Sequence, residues 1–327
     1  MSGVQLLPVP EHDAGSRLDR WFKRLFPHVP HGRVEKLLRT GQLRVDGKRV
    51  KGSHRLEAGQ EVRVPPLPDP SEVKTKKVGK ADQLRLWALF EDEELIAINK
   101  PFGLAVQGGS KTTRHIDGML PEGWRLVHRL DRDTTGVLLL AKSAAAAKWA
   151  GRAFQSKRAV KTYWAVTNGV PKPTAGEIKG YLAKGRRGLE FGRKFEGQEI
   201  TVAARHGEAG AKHARTLYQT AQVAGSKAAF VVMRPLTGRT HQLRVHAQLL
   251  GAPIAGDPKY MTDRPLPRSL ANKLHLHARE LVLPRPAKNG KSGGTVDIRA
   301  PLPDHMKLAF ERLGFTEHHD PIDWDSL

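Results

Sequence analysis

The stretch Leu126 to Ser143 reads LVHRLDRDTTGVLLLAKS. In it a turn that interleaves Arg129, Asp131, Arg132 and Asp133 runs directly into the apolar segment Val137–Ala141. A short apolar run bounded by turn residues reads as a strand buried on both faces. The chain must therefore build a sheet covered by other elements on each side, with a cluster of opposite charges fixed to its edge. A carboxylate at the edge of a core is costly unless it is paired or solvated, so this one calls for an explanation beyond stability.

Other segments supply the covering elements. ELIAINKP predicts a strand ending near Ile98, and AAAAKWAGRAFQ predicts a helix. AVKTYWAVT is β-branched and aromatic, a second strand, and its period of two puts Lys161 and Tyr163 on one face. AAFVVMRPLTGRTHQLRVHAQLLG passes from strand through a glycine turn into a helix closed by Gly251. Strands and helices follow no regular βαβ alternation. The expected class is α+β, with a mixed, largely antiparallel sheet flanked by helices.

The N-terminal part has a different pattern. Leu18, Trp21, Phe22 and Leu25 fall at i, i+3, i+4 and i+7, an amphipathic helix, and Val34, Leu37 and Leu38 mark a shorter one. In GQLRVDGKRV, Leu43 and Val45 alternate with polar residues and Asp46-Gly47 signals a hairpin. Between Arg17 and Arg55 twelve Lys/Arg face three Asp/Glu, so this small domain is strongly basic. The proline- and then lysine-rich PPLPDPSEVKTKKVGK reads as a linker. The expected organisation is a small basic domain over residues 1–64, a linker over 65–86, the main domain over 87–318, and an acidic tail over 319–327 that frays. The glycine-broken AKGRRGLEFGRKF, starting at Ala183, reads as a mobile basic loop.

Charge narrows the partner class. The 327 residues carry 55 Lys+Arg against 33 Asp+Glu, a formal net charge of +22, which favours polyanions through counterion release. The absence of cysteine excludes disulfides, thiolate metal sites and a cysteine nucleophile. No basic leader precedes an apolar segment and no apolar run approaches membrane-spanning length, so the expectation is a soluble, cytoplasmic protein.

Asp131 and Asp133 admit several readings. DRDTTG fits the nucleophile motif of haloacid-dehalogenase phosphatases, but there the hydrophobic strand precedes the motif, and no downstream Asp-Asp completes a metal site. A calcium loop fails because the oxygen ligands stop after Asp133. Asp133 and Thr134 suit a structural role, bonding nearby backbone amides. GGSKTT lacks the lysine directly after its last glycine that a phosphate loop needs. His275 and His277 alternate on a strand with no third metal ligand at spacing, Leu276 between them buttressing the pocket, and His241 and His246 miss the i, i+4 zinc pairing.

HRLDRDTTG resembles the catalytic turn of pseudouridine synthases of the RluA family, with its RluC-like branch the most similar. The resemblance extends through INKPFGLAVQGGS, LVHRLDRDTTGVLLLAKS, KTYWAV, RPLTGRTHQLRVHAQLLGAPIAGDPKY and LHLHARELVL, and the first 64 residues resemble an S4 RNA-binding domain. It implies isomerisation of specific uridines in large-subunit (23S) ribosomal RNA, with transfer RNA as the alternative substrate and a non-catalytic ribosome assembly factor as the alternative class. The chemistry calls for no metal, redox group or nucleotide cofactor, and a monomer is expected. The resemblance makes Asp131 the indispensable carboxylate, acting on the ribose as nucleophile or as the base for a sugar proton. It gives Arg239 as the cation that keeps Asp131 ionised, and Tyr163 as the ring beside the uracil with a hydroxyl for proton transfer. Arg129 would fill the space left by the flipped nucleotide. His128 and Lys161 join the RNA-binding set, together with Arg17, Arg20, Arg33, Lys36, Arg39, Arg44, Lys48 and Arg49 of the basic domain.

Overall fold

The computed structural model describes residues 3–27, 29, 31–67, 81–109, 114–186, 199–261, 265–267, 270–286 and 293–327. The chain divides into two compact units, Met1–Gly79 with Gln107–Gly118, and Lys80–Val106 with Met119–Leu327.

In the first unit, strand β1 (Gln5–Pro8) is followed by helices α1 (Leu18–Leu25) and α2 (His31–Arg39) and by strands β2 (Arg44–Val45) and β3 (Glu61–Val64). The strands form an antiparallel sheet in the order β1-β3-β2. Leu18, Trp21, Phe22, Val34, Leu37 and Leu38 are buried as their spacing predicts. Leu25 instead stays 44% exposed, because Phe26, just past the helix end, takes the core position. Asp46 and Gly47 have φ of 48° and 71°. Two successive left-handed residues make the type I′ turn that Asp-Gly favours, and Val45 bridges Lys48 across it.

The second unit opens with helix α3 (Ala81–Leu86), which falls within the span expected to be linker. Its sheet comprises β4 (Ala88–Glu91), β5 (Leu95–Lys100), β6 (Arg125–Leu126), β7 (Thr135–Ala141), β8 (Val160–Asn168), β9 (Ala175–Arg186), β10 (Glu199–Ala204), β11 (Lys212–Ala224), β12 (Ala228–Pro235), β13 (Leu276–Pro284) and β14 (Thr295–Arg299). The order is β10-β9-β11-β12-β8-β13-β7-β5-β4, with β14 on β13 and β6 on β7. All pairings are antiparallel except β13 with β7, so the expected mixed, largely antiparallel α+β class is the one adopted. Every residue of β7 is buried, which its unbroken apolar run requires.

Three helices cover this sheet. Helix α4 (Ala144–Gln155) is capped by Ser143, whose hydroxyl accepts from the Ala146 N–H at 3.1 Å. It lays Ala146, Ala150 and Ala153 against Leu95, Val137 and Leu139. Helix α5 (Gln242–Leu249) packs Leu243 and Ala247 on Val231 and Leu276, and α6 (Asp304–Leu313) packs Met306 and Phe310 on Trp164 and Phe230. Alternation along β8 thus sends Trp164 to the α6 side and Lys161 and Tyr163 to the α5 side. No helix among the described residues is long and apolar enough to cross a membrane.

The acidic tail is packed, not frayed as expected. Ile322 and Trp324 pack on the α6 core, and the Arg234 guanidinium lies 4.2 Å from the Trp324 ring centroid. An aromatic face attracting a half-buried cation holds the tail where its carboxylates alone would not. Residues 187–195 of the basic loop and 68–80 of the linker lie outside the described residues.

Candidate active site

A cavity of about 530 Å³ opens between the turn before β7, strand β8 and the start of α5. Asp131, Tyr163, Lys161, His128, Arg129, Arg239 and Arg244 all line it. The charged turn is therefore at the cavity mouth. Asp131 is carried on a tight turn whose carbonyl accepts from the Thr134 N–H at 3.2 Å, and its carboxyl is a quarter exposed. Asp133 forms a two-bond pair with its neighbour Arg132 at 2.9 and 3.1 Å.

The cation beside Asp131 is Arg244, which corrects the expectation for Arg239. Arg244 Nη1 lies 3.4 Å from Asp131 Oδ2. Its Nε and Nη2 donate to the two oxygens of Asp257 at 2.6 and 2.7 Å, and its side chain is only 4% exposed. Burial pulls the guanidinium pKa down, but the Asp257 hydrogen bonds and charge, with Asp131 behind them, outweigh it and hold the pKa above its ordinary value. A bidentate fork of this kind fixes the orientation of the remaining Nη1. Arg239 is exposed at the rim, and its Nε donates to the His213 carbonyl at 2.9 Å. The reason is local. Gln242 grips the turn, its Oε1 accepting from the Arg239 N–H at 3.0 Å and from Thr237 Oγ1 at 2.7 Å, while its Nε2 donates to Arg215 O and Thr216 Oγ1.

His241 precedes α5 in a left-handed conformation, φ 53° and ψ 17°. The Thr201 N–H donates to Tyr260 Oη at 2.9 Å, and that hydroxyl also meets His241 Nδ1 at 2.8 Å. His241 Nε2 faces Asp131 Oδ2 at 3.8 Å. Burial lowers the imidazole pKa to about 4 despite the Asp131 charge, so at neutral pH it meets Asp131 uncharged.

Burial, then the Asp131 charge, push the Tyr163 hydroxyl well above its ordinary pKa. The hydroxyl therefore stays protonated at neutral pH. His128 is less an RNA contact than a wall: its Nε2 accepts from the Leu139 N–H at 2.9 Å, its ring stacks on Phe154 at 4.6 Å, and burial lowers its pKa to about 3. Arg129 is exposed at the rim. In the first unit Arg20, Arg33, Lys36, Arg39, Lys48 and Arg49 are exposed, while Arg17 is half-buried and paired with Asp19, and Arg44 donates to the Gly41 carbonyl.

Three residues escaped the sequence reading. Arg244 and Asp257 are both almost fully buried, and a lone arginine between the apolar Leu243 and Val245 was the available signal. Lys100 is fully buried, its ammonium donating to the carbonyls of Pro101, Leu104 and Arg132 at 2.8–2.9 Å. It ties the end of β5 to the Asp131 turn. Burial lowers its pKa to about 7, against the raising effect of Asp133 and Asp131. The paired histidines are structural: His277 Nδ1 meets Thr135 Oγ1 at 2.8 Å, and His275 Nδ1 meets the Lys273 carbonyl at 2.7 Å.

Residues 94–249 match the model of the family described as RNA pseudouridylate synthase, and residues 16–62 match the S4 domain. The ribosomal large subunit pseudouridine synthase C of Rickettsia felis is 35% identical over 313 residues, covering 90% of this chain and 96% of that protein. The protein of the same name from Vibrio cholerae is 33% identical over 328 residues, covering 95% and 97%. The solved structure of human RNA pseudouridylate synthase domain containing 4 superposes with a TM-score of 0.56 at 31% identity, covering 72% of this chain and 95% of that one. A buried cation fixed beside an aspartate at the edge of this sheet, with sequence similarity along nearly the whole chain, shows that the protein belongs to the RNA pseudouridylate synthase family.

Proposed function

We propose that this protein converts particular uridines of large-subunit (23S) ribosomal RNA to pseudouridine, with Asp131 acting on the ribose. The observation that carries the assignment is the Asp131 carboxylate facing the cavity beside Arg244 and Tyr163. The names of the relatives support the substrate, and the +22 charge suits any RNA. The protein acts as a monomer in the cytoplasm, its basic first 64 residues holding RNA while the second unit works on the base.

A base inside a stack is out of reach, so the target nucleotide leaves the stack and enters the cavity. Asp131 then attacks the sugar or removes one of its protons. On either route the C1′–N1 bond breaks and its electron pair leaves with uracil. The base turns and C5 bonds to C1′, which releases the Asp131 carboxylate on the first route or is completed by return of the abstracted proton to the sugar on the second; the C5 proton is lost and N1 gains one. Atoms and electrons balance without a co-reactant. Arg244 sets a positive charge beside the Asp131 carboxyl in a fixed orientation, since Asp257 holds two of its nitrogens. Tyr163 offers a protonated hydroxyl beside the base.

The test is to map pseudouridine in ribosomal and transfer RNA from cells with and without the gene, and with Asp131→Asn. Loss at large-subunit positions in both mutants is expected, with RNA affinity of the purified variant kept within roughly an order of magnitude, because one charge among many contacts changes. Loss confined to transfer RNA refutes the substrate. Unchanged modification refutes the activity and leaves an assembly factor.

A further inference from the structure

Lys161 lines the cavity and takes no part in the steps proposed for Asp131, Arg244 and Tyr163. Its side chain is half-buried and lines the cavity from β8, two residues from Tyr163 on the same face. That separation is roughly 7 Å along the strand. No carboxylate among the described residues pairs with it, and its ammonium makes no hydrogen bond to them. Several arginines of this unit do have a carboxylate partner: Arg244 has Asp257, Arg132 has Asp133, Arg285 has Asp92 and Arg215 has Glu177. Holding a cation in a low-dielectric wall without a counterion opposes folding. The residue is therefore one whose anion comes with the substrate.

Two anions enter such a cavity, a phosphate and the base once its glycosidic bond has broken. Position separates them. Arg129 and Arg239 are exposed at the rim, where a backbone phosphate stays. Lys161 is on the wall beyond Tyr163 along β8, where its charge is felt by the buried His128, and we take this wall as the place the ring occupies when its ribose is at Asp131. The detached uracil carries the electron pair of the C1′–N1 bond, spread from N1 over O2 and O4.

Resting on the function proposed above, we propose that the Lys161 ammonium binds the uracil anion between cleavage at N1 and bond formation at C5, stabilising its charge while it turns. The contact is strongest after cleavage, so it accelerates the reaction more than it tightens RNA binding. Burial lowers the Lys161 pKa, which brings the ammonium closer to sharing its proton with an oxygen of the base. No atom is exchanged in this step: the charge that forms when C1′–N1 breaks is discharged when C5 bonds to C1′ and the base exchanges its C5 proton for one at N1.

The experiment compares wild type, K161M, K161R and K161A under single turnover on a full-length large-subunit ribosomal RNA transcript, with RNA binding and thermal unfolding measured in parallel. K161M is expected to lose at least 100-fold in rate at saturating enzyme, with RNA affinity within about threefold. It should unfold at the same temperature as wild type or higher, because an unpaired buried charge has gone. K161R should retain part of the rate, and added ethylammonium should restore part of it to K161A. A K161M that turns over at the wild-type rate overturns the inference. So does one whose loss is entirely in affinity, with a salt slope reduced by about one, since that marks a phosphate contact. A K161M that loses its rate together with its stability also overturns it. A wild-type protein that forms no pseudouridine on this transcript or on cellular RNA counts against the function itself, which separates the two failures.

Discussion

Replacing Arg244 by Met should cost far more than replacing Arg239 by Met, although both line the same cavity. Arg244→Met leaves Asp257, whose carboxyl is fully buried, without its counterion and without two hydrogen bonds of 2.6 and 2.7 Å. Asp257 Oδ1 keeps only the N–H groups of Lys259 and Tyr260, at 2.8 and 3.1 Å. Stripping one partner from a buried ion pair costs about 3–5 kcal/mol. For a unit of this size that lowers Tm by on the order of 10 °C. The Arg239 side chain is exposed and gives up one bond to a carbonyl, so its loss should stay within about 0.5 kcal/mol. Urea unfolding of the two variants measures the contrast. Single-turnover pseudouridine formation, run below the midpoint of the weaker variant, separates catalysis from folding. Arg244→Met should be nearly inactive while still folded, and Arg239→Met should weaken RNA binding with little change in rate. Equal stabilities, or an inactive Arg239→Met beside an active Arg244→Met, would refute the pairing of Arg244 with Asp131.

Lys100→Met should reduce the rate at saturating RNA and leave affinity near wild type, since Lys100 is behind the turn and out of the cavity; each carbonyl stranded without its donor adds about 1–3 kcal/mol of instability, read by thermal melts, and an unchanged rate would remove its positioning role. Acid should unfold the second unit early. His241, His246, His275 and His277 are held near pKa 4 and His128 near 3, all by burial, below the ordinary 6.5. The unfolded chain therefore binds more protons between about pH 4 and 6.5, and stability falls as pH drops through that window, by up to about 1.4 kcal/mol per unit for each fully buried imidazole. A Tm that stays flat from pH 7 to 4.5 would contradict this.

Much of the fold was legible because it rests on local pattern. The period-two alternation of β8 correctly separated Lys161 and Tyr163 from Trp164, and Asp46-Gly47 specified its turn through the left-handed backbone both residues adopt. Asp131 and Tyr163 were legible through motif, and the cavity contains both. Arg244 was not, because what permits an arginine to be buried between Leu243 and Val245 is a carboxylate thirteen residues on, brought back by the chain. The resemblance pointed to Arg239, but the Gln242 side chain determines how that turn closes, and side-chain to backbone bonds of this kind leave no periodicity. The packed tail is similar: Trp324 is one aromatic among acidic residues, and only the fold supplies Arg234 as its partner.

The construction around Asp131 explains why the charged turn precedes the most buried strand of the sheet. Catalytic groups must be held to within about 0.5 Å of their working positions, and a free turn on a sheet edge is not. Here the turn enters β7 where that strand runs parallel to β13, at Thr135 and Gly136 opposite His277 and Ala278. Gly136 has φ +105°, and a Cβ on it would strike the Ala278 carbonyl, so the two strands approach closely only because the residue is glycine. Thr135 bonds His277 in the same seam, and Lys100 draws the Arg132 carbonyl toward the end of β5. Two strands and a buried cation therefore clamp the turn from one side, and Arg244, clamped in turn by Asp257, meets its carboxylate from the other. Nothing in this arrangement requires Asp131 to be buried. Its supports are buried and the acid itself stays at the mouth, which is how a core gains rigidity for a group that must meet a substrate.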